Sequence, residues 1–167
     1  VAVLTISDGV TGGSREDLSG AALEDLAVAA GHEVAWRGAV PDDREEIAAA
    51  LVRLCDGDAA DLVLTTGGTG FAPRDVTPEA TREVLERLAP GIDEALRADA
   101  LRHTPHGMLS RGVSGIRGAT VVVNLPGSPR ACSEGFAVLA PVAEHAVRLL
   151  RAEPTSHAPS SPPPAGS

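Results

Sequence analysis

Two kinds of apolar pattern alternate along this chain. Short runs rich in Val, Leu and Ile occupy Val1–Ile6, Val34–Val40, Asp61–Thr66 and Ala119–Asn124. Continuous apolar runs of that length read as strands covered on both faces. Between them lie stretches with helical spacing. Leu18, Ala22, Leu26 and Ala29 fall on one face of a helix over Leu18–Ala30, and Gly31 is its natural stop. A second helix is predicted to start at Pro41–Glu45, with Asp42 as its cap and Glu45 three residues on, and to run to about Leu54. Thr77-Pro78-Glu79 opens a third, with proline at the first helical position. A fourth covers Pro90–Leu101. The last runs from Pro129 to about Leu150, with an expected kink at Pro141. Met108–Gly118 is punctuated by glycine and reads as a hairpin.

Strands alternating with helices predict an α/β fold of three layers, α/β/α, around a mostly parallel sheet. Ligands of such sheets bind at the carboxyl ends of the strands. That rule singles out Ser7-Asp8, Pro41-Asp42, Thr65–Asp75 and Asn124–Pro129. Residues 1–153 read as one domain without internal repeats. Residues 154–167 are rich in Pro and Ser, lack apolar periodicity, and are expected to be a disordered tail.

Composition then removes several chemistries. All 14 basic residues are arginine, set against 23 acids, for a formal charge of −9. Without lysine there is no Walker-type phosphate loop and no Schiff base. With no tyrosine, two Phe and one Trp, a stacked-aromatic surface for nucleic acid is not expected, and the acidic surface repels polyanions. No nucleic-acid partner is expected, and no apolar run reaches the roughly 20 residues of a membrane span. The first strand begins at Val1, so no secretory leader is expected; Cys55 and Cys132 have no metal-ligand spacing and read as free thiols of a reducing, cytoplasmic compartment.

The richest segment is Leu64–Glu79. Gly67, Gly68 and Gly70 around Thr69 let a phosphate approach backbone N–H groups, and the helix opened by Thr77 and Pro78 turns its positive end the same way. A tight turn that happens to need three glycines is the plain alternative. Asp75 favours the ligand reading, because a carboxylate beside a phosphate nest suits a magnesium–nucleotide. Asn124-Leu-Pro-Gly-Ser-Pro129 also ends a buried strand and opens a helix, with Ser128 as cap. Here an ordinary strand–helix connection and a ligand-facing Asn124 stand level. Asp42 reads first as a cap, a role compatible with a metal carboxylate. His103 and His106 are split by Pro105 and have no third ligand nearby, so they read as loop residues. Ser114 and Ser128 lack a nucleophile-elbow context.

Ile-Ser-Asp8, Thr-Thr-Gly-Gly-Thr-Gly70, Arg-Asp-Val-Thr-Pro-Glu79, Leu-Ser-Arg111, Gly-Ile-Arg-Gly118 and Asn-Leu-Pro-Gly-Ser-Pro129 occur in that order. In this the chain resembles the MogA/MoaB family, molybdopterin adenylyltransferases of molybdenum-cofactor biosynthesis, over about residues 1–150. The resemblance implies the MogA-like fold and one reaction. The terminal phosphate of molybdopterin attacks the α-phosphate of ATP, with Mg²⁺, to give adenylyl-molybdopterin and pyrophosphate. It places the family's two important aspartates, catalytic and metal-binding, on Asp42 and Asp75. It implies nucleotide phosphates at Gly67, Gly68, Thr69 and Gly70, and Thr77, Pro78, Glu79, Gly127 and Ser128 are expected to bind the nucleotide and its phosphates with them. It implies a pterin at Ser7, Asp8, Ser110, Asn124 and Pro126. It also implies a homotrimer and contact with the molybdate-insertion enzyme. The alternative is a binding-only molybdopterin carrier or scaffold on the same fold; a nucleotide pyrophosphatase of the competence-damage type is a more distant rival.

Overall fold

The computed structural model describes residues 1–57 and 59–152. The tail expected over 154–167 therefore lies outside the described residues. In chain order the elements are β1 (Ala2–Ile6), α1 (Asp8–Thr11), α2 (Leu18–Ala29), β2 (Trp36–Val40), α3 (Arg44–Asp56), β3 (Leu62–Thr66), α4 (Thr77–Val84), β4 (Arg87–Leu88), α5 (Pro90–His103), a 3-10 turn (Pro105–Leu109), β5 (Ser114–Arg117), β6 (Thr120–Leu125) and α6 (Pro129–Leu150).

The strands form one sheet in the order β2-β1-β3-β6-β5-β4. β2, β1, β3 and β6 are parallel, and β5 and β4 add an antiparallel edge. Every residue of β1, β3 and β6 is buried. Side chains alternate between faces, so each strand feeds two cores. Leu4, Ile6, Val63 and Val122 pack with Ile47 and Leu51 of α3 and with Ala80 and Val84 of α4. Val3, Leu64, Val121 and Val123 pack on the other face with Leu23 of α2 and with Phe136 and Leu139 of α6. A fully buried Leu or Val stabilises by about 1.5–3 kcal/mol, so cores that are aliphatic apart from Phe136 suffice. The expected three-layer arrangement is the one observed.

The chain runs from β1 to one side for β2 and to the other side for β3, which makes a topological switch point between β1 and β3. Register brings the strand ends together. Ile6 pairs with Val40, and Thr66 pairs with both Thr5 and Leu125. The segments after β1, β2, β3 and β6 therefore leave from one edge of the sheet.

Local details depart from expectation in places. Asp43, not Asp42, caps α3: its Oδ1 accepts from the amides of Glu45 and Glu46 at 3.0 and 3.1 Å. The residue adjacent to the helix wins because its extended backbone aims the carboxylate at the open amides. β2 begins at Trp36 rather than Val34. The hairpin is made by β5 and β6, and a 3-10 turn takes the first part of the 108–118 stretch. The cap at Ser128 is as expected, accepting from the Ala131 amide at 3.2 Å. α6 runs through Pro141, with Leu139 and Ala143 buried on either side. Among the described residues no helix is long and apolar enough to cross a membrane.

Asp43→Ala should destabilise the protein by about 1 kcal/mol in equilibrium urea unfolding. Asp42→Ala, which removes no cap, should cost measurably less.

Candidate active site

The turn after β3 is shaped by backbone contacts that exclude side chains. Gly67 and Gly68 have φ of 102° and 64°, in the left-handed region. A β-carbon on Gly67 would meet the Ile6 carbonyl at 2.3 Å, and one on Gly68 would meet Thr77 Oγ1 at 2.3 Å. Thr77 Oγ1 donates to the Gly67 carbonyl at 2.9 Å, and Thr77 N donates to Gly68 O at 3.2 Å, so the start of α4 is tied under the turn. The turn after β6 touches the first one: a β-carbon on Gly127 would lie 3.3 Å from Gly67 Cα, and Gly67 N donates to Leu125 O at 3.3 Å. The amides of Gly68, Thr69 and Gly70 have no acceptor among the described residues. They are the donors with which such a turn holds an anion.

Carboxylates flank this turn. Asp42 Oδ1 lies 3.3 Å from the β-carbon position of Gly68, and Asp75 Oδ2 lies 2.9 Å from that of Gly70. The two acids from separate loops thus stand beside one Gly-rich backbone. Asp42 Oδ2 accepts from Asp8 N at 2.8 Å, while Asp8 Oδ1 accepts from Asp42 N at 3.0 Å. Asp75 Oδ2 accepts from Ala72 N at 2.8 Å. The Oδ1 atoms of Asp42 and Asp75 have no hydrogen-bond partner among the described residues. Arg74 binds the Asp8 carboxylate through Nε and Nη2, at 2.7–3.1 Å. This guanidinium, followed by the Asp42 amide, holds the Asp8 carboxyl below its ordinary value.

On the other side of Thr69 and Gly70 opens a largely apolar cavity of about 340 Å³. Leu96 of α5, Leu109 and Ser110, Leu125 and Pro126 line it, and Phe71, 67% exposed, stands at it. Asp93 of α5 also lines it, and burial pushes its carboxyl upward. A largely apolar cavity of this volume suits a small molecule.

Several residues expected to touch ligand have their polar atoms committed within the protein. Asn124 is buried, and its Nδ2 donates to Thr65 Oγ1 at 2.9 Å and Thr81 Oγ1 at 3.0 Å. Its Oδ1 accepts from Val113 N at 3.2 Å. Asn124 borders the cavity, but its amide group clamps β3, α4 and the residue just before β5. Continuous apolar neighbours in β6 hide this, because only tertiary packing shows that Thr65 and Thr81 face it. Glu79 is paired with Arg111 rather than set toward phosphate. Burial raises its pKa, but the Arg111 hydrogen bond, its own backbone amide and the charges of Arg111 and Arg82 together outweigh this and hold it low. The carboxylate expected at the phosphates is thus engaged in an ion pair with Arg111 in this structure. Thr77 and Pro78 are buried behind the turn, as backing rather than lining. Ser7 caps α1, accepting from Val10 N at 3.3 Å, and neither Ser7 nor Asp8 borders the cavity. Thr69, Gly70, Ser110, Asn124 and Pro126 do border it. Exposed Ser128 starts α6 beside Gly127.

Sequence reasoning missed the α5 contribution of Leu96 and Arg97, which helical periodicity alone does not aim at a strand edge. It also missed Cys132. This thiol donates to the Pro126 carbonyl at 3.0 Å, beside Thr66 Oγ1, which donates to the same oxygen at 2.8 Å. Both cysteines are buried free thiols, and burial pushes each up to about 11.

Residues 2–145 match the family model described as a probable molybdopterin binding domain. A molybdopterin adenylyltransferase of Helicobacter pylori is 37% identical over 157 residues, covering 90% of this chain and 86% of that protein. The molybdopterin adenylyltransferase of Escherichia coli K12 is 39% identical over 137 residues, covering 80% of this chain and 70% of that one. The solved structure of the molybdopterin biosynthesis enzyme MoaB from Thermus thermophilus superposes with a TM-score of 0.86 at 44% identity, covering 93% of this chain and 98% of that one.

Asn124→Ala should destabilise the fold by about 2–4 kcal/mol in guanidinium unfolding, since it strands two buried hydroxyls and one buried amide. The thiols should resist a disulfide reagent at pH 8 in the folded protein and react on unfolding. Because folding raises their pKa from 9.0 to about 11, their contribution to stability is full below pH 9 and is lost as pH rises through about 11. Melting temperature measured across that window checks the sign.

Proposed function

The chain belongs to the molybdopterin-binding domain family, and on that premise we propose that it is a molybdopterin adenylyltransferase, joining ATP and molybdopterin into adenylyl-molybdopterin and pyrophosphate. The observation that carries the reading is the contiguity of a turn with free amides, two flanking carboxylates and an apolar cavity of small-molecule size. The nucleophile is a phosphate oxygen of the pterin substrate. It forms a bond to the α-phosphorus of ATP while the bond to the bridging oxygen breaks, and pyrophosphate leaves with the electron pair. No protein nucleophile is required, so the protein's work is positioning and charge stabilisation.

The amides of Gly68, Thr69 and Gly70 donate to phosphate oxygens, and Gly67 and Gly127 keep the backbone close enough for them to do so. Ser110 and the cavity wall hold the pterin ring system. Asp42 and Asp75 would hold Mg²⁺. The fit is good, because each carries one carboxylate oxygen without a partner among the described residues, and hard oxygens in that number suit Mg²⁺ bound with phosphates. When bound, the ion neutralises charge on the polyphosphate. Asp8 orients Asp42 through the reciprocal amide–carboxylate pair, and Arg74 offsets the charge of Asp8. A homotrimer and delivery of product to the molybdate-insertion enzyme complete the reading.

Asp75→Asn should leave the melting temperature near wild type and lower single-turnover conversion of ATP to adenylyl-molybdopterin by about 100-fold. A near wild-type rate refutes the role. Retained binding of both ligands by the wild-type protein, with no pyrophosphate released, would favour the carrier alternative.

A further inference from the structure

Arg111 is the residue whose contacts span the most parts of the site. It is half-buried, with its side chain 33% exposed. Its Nε donates to the Gly70 carbonyl at 2.7 Å and its Nη2 to the Asp75 carbonyl at 2.5 Å, while Nη1 is paired with Glu79 of α4. Its own amide donates to Thr69 O at 3.0 Å. One residue thus grips both ends of the loop that carries the free amides and the Asp75 carboxylate, and anchors that loop to the following helix.

Its chain neighbours face the other way. Ser110 and Gly112 line the apolar cavity. The segment they belong to is held from two further sides. Arg97 of α5 donates to Gly112 O at 3.2 Å, and Asn124 Oδ1 accepts from Val113 N at 3.2 Å. Gly112 is itself pressed against β6, where a β-carbon would lie 3.1 Å from Asn124 O. Residues 110–113 therefore form a strip with the cavity on one flank and the phosphate turn on the other. Ser110 and Gly112 present the strip to the cavity, and Arg111 between them holds the carbonyls of Gly70 and Asp75 through a planar fork. Lysine, a point charge with a flexible stem, does not reproduce that fork.

We propose that Arg111 is a positioning residue that couples the cavity to the phosphate turn, so that occupation of one favours occupation of the other. This deepens the adenylyltransferase reading and rests on it. Occupation of either side fixes the same loop, so the second ligand meets less of the ordering cost.

The test is titration calorimetry of full-length protein with α,β-methylene-ATP, with and without saturating molybdopterin, on wild type, Arg111→Lys and Glu79→Gln. Wild type should bind the nucleotide analogue tenfold or more tightly when molybdopterin is present, within the usual range for coupled sites, about 5–150-fold. Arg111→Lys should reduce that factor to about twofold or less, while each ligand's separate affinity changes by less than about threefold. Glu79→Gln keeps the grip on both carbonyls but loosens the anchor to α4, and should give an intermediate factor. A structural defect alone would lower the melting temperature or both separate affinities and leave the factor unchanged, which overturns the proposal. So does a wild-type factor in either variant, or a factor near one in wild type. Failure of wild type to bind either ligand alone is a different result and overturns the adenylyltransferase reading itself.

Discussion

The close approach of three backbones at Gly67 is the constraint on which the site depends. Its α-carbon lies under the Ile6 carbonyl and against Gly127, and its carbonyl holds Thr77. A side chain there would push β1 and β3 apart at the switch point or swing the turn off the start of α4. Because β-strand register has already brought Ile6, Thr66 and Leu125 to one edge, this single packed point fixes where the free amides of residues 68–70 face. The ligand-binding surface is thus a consequence of sheet geometry, and few side chains have to be correct for it to exist.

Charge is managed by local pairing. A chain with formal charge −9 has to hold phosphates beside Asp42 and Asp75, which an unscreened acidic surface opposes. Arg74 takes up Asp8, the nearest additional carboxylate, and Arg111 takes up Glu79. What remains open at the turn is amide N–H and two carboxylate oxygens, a set suited to an anion carried with a cation. Backbone donors at this position cost no arginine and no lysine, which fits a protein that has no lysine to use.

The cavity side is built differently. Its walls come from α5, the 3-10 turn, the end of β6 and the start of α6. Cys132 and Thr66 both donate to the Pro126 carbonyl and hold that wall to α6 and β3. Asn124 performs the same office toward β3, α4 and Val113. The side chains of Thr66, Asn124 and Cys132 at this junction all have hydrogen-bond partners within the protein.

Much of this was written in the order of residues. Apolar runs of the length of β1, β3 and β6, glycines after β3 and β6, and proline at the helix starts determine a parallel sheet whose loops gather at one edge, because those signals are local and each has one steric meaning. The pairing of Asp42 with Asp75 across the Gly-rich turn follows from the same edge rule. Partner choice was decided only in three dimensions. Whether Asp42 or Asp43 caps α3, whether Glu79 faces a phosphate or Arg111, and whether Asn124 faces a ligand or two threonines depend on side chains brought together from 32 to 59 positions away or on a single residue's backbone angle. Hydrophobic periodicity carries the distance along one element, and it contains no term for which polar groups from different elements will satisfy each other once water is excluded.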